Sequence, residues 1–163
     1  MATTIERATP LDIPELMRLE RGEGFERLVG RWSQEQHAAE MAKQGSRFLA
    51  ARSEAGLAGF VLLQELDDSN GCATLRRIAV ARPGEGLGPR LLAVAQDEAF
   101  GLGSVHRLQL RVYPENPRAR RAYDRAGFVE EGLMRGVSRQ ADGSHRSMLL
   151  MAILRPEWEA RRR

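Results

Sequence analysis

Two short stretches carry the residues whose types and spacing could do chemistry. In the first, Ile78-Ala79-Val80-Ala81-Arg82-Pro83-Gly84-Glu85-Gly86-Leu87-Gly88-Pro89-Arg90, three alternate glycines separate a strand-like run from a segment in which Leu87, Leu91, Leu92, Ala95 and Ala99 recur at helical spacing. Glycines let a backbone approach a ligand closely, and the free N–H groups of a helix N-terminus, reinforced by the helix dipole, attract an anion. A pyrophosphate is the natural guest, and a tight turn with no ligand is the plain structural alternative. A dinucleotide fingerprint would require glycine where Pro89 stands, and a P-loop would require Gly-Lys-Ser/Thr, which is absent.

The second stretch follows an alternation of Leu108, Leu110 and Val112 with polar residues, as in a half-buried strand. It runs Asn116-Pro117-Arg118-Ala119-Arg120-Arg121-Ala122-Tyr123-Asp124-Arg125-Ala126-Gly127-Phe128. Asn116 can cap a helix, Pro117 suits its first position, and Gly127 suits a left-handed residue just past its end. Structure alone accounts for those three residues, but it does not predict their company with Tyr123 and Phe128.

Taken in order, Leu75 to Phe100 and Asn-x-x-Ala-x-x-x-Tyr-x-x-x-Gly-Phe from Asn116 to Phe128 resemble the two cofactor motifs of the GNAT superfamily of N-acetyltransferases. The resemblance spans roughly Thr3 to Leu154 and is strongest between Leu75 and Met134. It implies a single α/β (α+β) domain covering residues 1–163, with a mixed, mostly antiparallel sheet of about seven strands flanked by helices and splayed at the cofactor site. It also implies that the backbone of Gly84, Glu85, Gly86, Leu87, Gly88 and Pro89 cradles the pyrophosphate of acetyl-CoA. Ile78, Ala79 and Val80 would align with the pantetheine arm, Asn116 would hydrogen-bond that arm, and Arg118 would join the cofactor set. The family usually carries Arg or Gln where this chain has Pro83.

By the same likeness Tyr123 is the general acid that protonates the leaving thiolate, and the backbone N–H of Val80 polarises the thioester carbonyl. No carboxylate announces itself as the base: Glu20, Glu23 and Glu26, in the region that shapes the acceptor pocket in similar folds, read as solvated surface charges. The implied reaction is direct transfer of an acetyl group from acetyl-CoA to a primary amine: a protein N-terminal α-amine, a polyamine or another small amine. A catalytically inactive CoA-binding regulatory domain is the alternative. No metal is expected, and a homodimer is an expectation from the family alone.

The elements that must position these residues alternate along the chain. Thr3 to Ala8 reads as a first strand, and Asp12-Ile13-Pro14 opens a helix bearing Leu16, Met17 and Leu19. Ser33, with Gln36 three residues later, starts a second helix reaching about Gln44. Arg47 to Arg52 and Leu57 to Leu66 form a hairpin pattern, Asp67 to Gly71 a turn, and Leu75 to Val80 the strand that feeds the glycine loop. Phe128-Val-Glu-Glu-Gly-Leu-Met-Arg, a polar stretch from Ser138 to Ser147 and an apolar strand from Met148 to Leu154 fit the last hairpin of the fold that the resemblance implies.

Composition narrows the remaining classes. The 163-residue chain is 42% hydrophobic and 29% charged, as soluble globular domains are. It lacks an apolar run of the roughly 20 residues that span a bilayer, and its start lacks a leader pattern, so the expected location is cytoplasmic with no membrane partner. The lone cysteine, Cys72, excludes an internal disulfide and reads as a small core or edge residue; His37, His106 and His145 show no metal-ligand spacing. The net charge of +3 rests on arginine, since Lys43 is the only lysine. The cluster Arg118, Arg120, Arg121 and Arg125 lacks interleaved aromatics, so a solvated helix face or an anionic cofactor, not nucleic acid, is expected there.

Overall fold

The computed structural model describes residues 2–22 and 31–163. In chain order these form β1 (Thr4–Arg7), a 3-10 turn (Pro10–Asp12), α1 (Ile13–Glu20), α2 (Gln34–Met41), β2 (Arg47–Ser53), β3 (Gly56–Gln64) and β4 (Cys72–Val80). They continue with α3 (Leu87–Gly101), β5 (Arg107–Val112), α4 (Pro117–Arg125), β6 (Val129–Arg139), β7 (His145–Leu154) and α5 (Arg155–Arg161). The strands make one seven-stranded sheet in the order β1-β2-β3-β4-β5-β7-β6. Every pairing is antiparallel except β4 with β5.

Local chemistry sets most of the boundaries. Ser33 accepts from the Gln36 backbone N–H at 3.2 Å while Gln36 accepts from the Ser33 N–H at 2.8 Å, the reciprocal cap expected of α2. That helix ends at Met41, earlier than its sequence pattern suggests. The last hairpin departs further: β6 and β7 extend through most of the polar stretch, because cross-strand pairing with Met148 and Arg146 outweighs the lack of apolar alternation. The terminal α5 was not expected.

Each face of the sheet carries its own core. On one face Leu49, Val61, Leu63 and Leu75 pack with Leu91, Leu92, Ala95 and Phe100 of α3 and with Tyr123 of α4. On the other, Phe48, Phe60, Leu62 and Ala79 meet Leu16 of α1. Burying each such leucine or phenylalanine contributes about 1.5–3 kcal/mol. Gly59 permits the close fit of α3: a Cβ there would lie 2.8 Å from the Ala79 carbonyl oxygen and 3.0 Å from Leu91 Cδ1.

Strand β4 changes faces part-way along. The register steps from Leu62↔Arg77 to Leu63↔Leu75, leaving Arg76 as the extra residue of a bulge. Ala73, Leu75, Ile78 and Val80 therefore all face α3, whereas Arg77 and Ala79 face α1. Beyond the bulge β4 also loses its parallel neighbour. The β4–β5 ladder consists of Cys72↔Arg107, Ala73↔Leu108 and Thr74↔Gln109, while β5 pairs along its whole length with β7. A V-shaped gap opens from Leu75 onward.

Candidate active site in the gap between β4 and β5

Along the gap, the backbone of β4 presents unused hydrogen-bonding groups. Ala81 donates to the Ala58 carbonyl at 2.8 Å. Since bonded and non-bonded pairs alternate in an antiparallel ladder, Phe60↔Ala79 is a bonded pair and Gly59↔Val80 is not. Val80 and Ile78 thus aim their N–H and C=O groups away from β3, toward the side from which β5 has parted. Ala79 spends its polar groups on β3 and its side chain on the α1 face.

The strand runs into the glycine loop. Gly84 and Gly86 adopt φ of +90° and +84°, left-handed values that glycine takes without steric cost. Gly86 is the N-cap of α3, and no side chain caps the helix. The N–H groups of Gly86, Leu87 and Gly88 thus lack intrahelical partners, while Pro89 has none to give. A Cβ at Gly86 or Gly88 would meet nothing within 4 Å, so the space before the loop is open. At Gly84 it would lie 3.2 Å from Arg118 Nη2. A cation from α4 thereby reaches the loop that lacks one at Pro83.

Helix α4 carries the other candidate residues. Asn116 Oδ1 accepts from the Ala119 N–H at 3.2 Å. At the far end Phe128 N–H donates to the Tyr123 carbonyl and Gly127 N–H to that of Asp124, both at 3.0 Å, with Gly127 at φ +96°. This is a Schellman cap, and its usual hydrophobic contact is the Tyr123–Phe128 pair, with ring centroids 6.0 Å apart. The company of Tyr123 with Phe128, which sequence left unexplained, is therefore part of the helix ending. Tyr123 is 8% exposed, and burial pushes its phenol up to about 12. It stays protonated at neutral pH.

A cleft of about 790 Å³ occupies the gap, lined by residues 74–78 and 109–111 together with Arg31, Tyr113, Tyr123 and residues 137–141. Its closed end is tied by Thr74, which donates to Glu65 at 2.6 Å and accepts from Gln109 at 3.4 Å. Its outer wall is held by the 2.7 Å bond between the Tyr113 and Ser138 hydroxyls and by Arg146, 3.7 Å above the Tyr113 ring.

Behind the bulge lies a charged group that sequence reasoning placed at the surface. Glu20 is fully buried, 3.0 Å from His37 Nε2 and 3.2 Å from Arg77 Nη1, and the Arg77 guanidinium sits 4.0 Å over Trp32. Burial pulls Arg77 down to about 10, against the pull of Glu20, so it remains a cation at neutral pH. Sealed from solvent, Glu20 anchors Arg77 of β4. Glu23 and Glu26 lie outside the described residues. Among the described residues no cluster of His, Cys, Asp and Glu could hold a metal ion, and no helix is long and apolar enough to cross a membrane.

Residues 13–128 match the model of the acetyltransferase (GNAT) family. The chain belongs to the GNAT family. A spermidine N(1)-acetyltransferase of Vibrio cholerae is 34% identical over 87 residues, a stretch covering 53% of this GNAT chain and 50% of that relative. The solved spermidine N-acetyltransferase of Vibrio cholerae in complex with CoA and spermine shares the fold, with a TM-score of 0.82 at 22% identity over 96% of this chain and 98% of that one. The ribosomal-protein-S18-alanine N-acetyltransferase of Escherichia coli gives a TM-score of 0.77 at 26% identity, over 94% of both chains.

Within this GNAT fold, Ile78 and Tyr123 line the cleft and Val80 closes the same strand. Gly84 to Gly88 and Arg118 form a second group at the end of β4, and Asn116 marks the start of α4. Sequence reasoning overlooked the cleft arginines Arg31, Arg76, Arg111 and Arg139. The one available signal was the polar face of β5, Arg107-x-Gln109-x-Arg111, opposite its leucines.

Proposed function

We propose that this chain is an acetyl-CoA-dependent N-acetyltransferase that moves the acetyl group directly to a primary amine. The observation that carries the reading is the free edge of β4, with Val80 N–H turned into the gap, running straight into an uncapped glycine loop beside a buried tyrosine. Acetyl-CoA supplies the activated thioester. The edge of β4 at Ile78 and Val80 extends along the pantetheine amides as a neighbouring strand would, with Asn116 in the same cofactor set. The N–H groups of the loop and of the first turn of α3 take the pyrophosphate, and Arg118 adds the side-chain charge that Pro83 does not.

Val80 N–H donates to the thioester carbonyl oxygen as the neutral amine attacks the carbonyl carbon. The carbon–sulfur bond breaks, Tyr123 gives its proton to the departing sulfur, and the proton that the nitrogen sheds as the amide forms passes through water, which restores the Tyr123 phenol. A thiolate near pKa 8.5 in water is a weaker base than a phenolate of about 12. The same dry surroundings that raise Tyr123 also raise the thiol, which narrows that difference. The named relatives are a spermidine N(1)-acetyltransferase and a ribosomal-protein-S18-alanine N-acetyltransferase, so polyamines and protein amines are both acceptors to be tried. Cytoplasmic location and a homodimer are further parts of it.

Two measurements test the reading. Calorimetric titration should give binding of acetyl-CoA and none of NAD or ATP. Release of free CoA should depend on an added amine and fall at least about tenfold in Tyr123→Phe. Tight binding without turnover on any amine would favour the regulatory alternative.

A further inference from the structure

Over its described lining, the cleft that occupies the gap is strongly cationic. Among the described residues lining it, Arg31, Arg76, Arg111 and Arg139 are exposed and none forms a salt bridge. Among the described lining residues the one carboxylate, Glu65, is already engaged by the Thr74 hydroxyl. Arginine abundance alone does not produce this, since neighbouring arginines are matched: Arg107 with Glu131 at 2.5 Å and Arg120 with Glu130 at 2.6 Å. On β5 the contrast lies within one strand face, where Arg107 is paired and Arg111, four residues on, is not.

We infer that the acceptor is an amine carried on an anionic molecule, with a carboxylate or phosphate close to the reacting nitrogen, and not a polycation. The inference rests on the acetyltransferase reading and adds the substrate class. A cleft of one charge sign concentrates ligands of the other sign and repels its own. Arginine forks also match carboxylate and phosphate oxygens in pairs. The same field has a second consequence. Nearby cations disfavour a protonated amine, so more of the bound acceptor is the neutral nucleophile. That field lets the site act without a carboxylate base from among the described residues, where Glu20 is sealed behind Arg77.

The test compares kcat/KM on the full chain for ethanolamine against O-phosphoethanolamine, for glycinamide against glycine, and for spermidine. Each is measured with wild type and with the double variant Arg111→Gln/Arg139→Gln, after acetyl-CoA binding has been titrated for both proteins. The anionic member of a pair should be preferred by about tenfold or more. The preference should shrink in the double variant and in high salt, at unchanged affinity for acetyl-CoA. The two pairs separate phosphate from carboxylate as the recognised group. Spermidine turned over as well as the anionic amines, or an anionic preference that survives the double variant, would overturn the inference and leave the enzyme class standing. Failure to bind acetyl-CoA, or binding with no amine acetylated, would defeat both.

Discussion

Tyr123 serves structure with its ring and, in the proposed reaction, chemistry with its hydroxyl. The ring closes the Schellman cap against Phe128, and the residue borders the cleft. Phenylalanine keeps the ring, so Tyr123→Phe should change unfolding free energy by less than about 1 kcal/mol in urea while kcat drops about tenfold or more. The hydroxyl also leaves a mark on alkaline stability. Burial raises its pKa from 10.0 to about 12, so between those values the unfolded chain releases the proton first. The associated stability is complete below about pH 10 and is lost as pH rises toward 12, a fall that urea midpoints should record in wild type and lack in Tyr123→Phe. At this scale the glycine loop, the Asn116 cap and the left-handed Gly127 were legible as local structure because short motifs encode them. Glu20 was not, because its burial depends on Arg77, 57 residues away.

At the scale of elements, the bulge at Arg76 and the parting of β5 create the site. The bulge turns Arg77 toward α1, where Glu20, His37 and Trp32 receive it. Removing one member of a buried ion pair strands the other, so Glu20→Ala should cost about 3–5 kcal/mol in urea unfolding. Loss of the surface pair between Arg162 and Asp97 by Asp97→Ala should cost under about 1 kcal/mol. Gly59→Val should destabilise by about 1–3 kcal/mol, because its side chain would push Ala79 and Leu91 apart. The strands and helices that feed the site were readable from periodicity and caps. The bulge was not, since inserting one residue preserves the run of apolar types and alters only the face each one meets. The length of the β6–β7 hairpin escaped for a related reason: pairing between strands, not residue preference, holds its polar half in register.

Over the whole molecule, six antiparallel or parallel junctions hold the sheet together, and the one parallel junction is the one that opens. The crossover it requires is α3, whose start is the glycine loop. The free strand edge and the proposed anion site therefore come from a single stretch of chain. A ligand spanning both should stabilise the fold by mass action: acetyl-CoA at 100 times its Kd should add about 2.7 kcal/mol to the unfolding free energy, read as a rise in Tm. Gly84→Val, forced into a left-handed φ and against Arg118, should lose most of that rise.

Transfer itself is the most direct measurement. The protein would be incubated with acetyl-CoA labelled in its acetyl carbons and with an amine acceptor, and both small molecules and protein examined by mass spectrometry. The expected result is label in an amide on the amine, in one-to-one ratio with CoA released, and none on the protein. Bound acetyl-CoA whose label never leaves the thioester would contradict the assignment as an acetyltransferase.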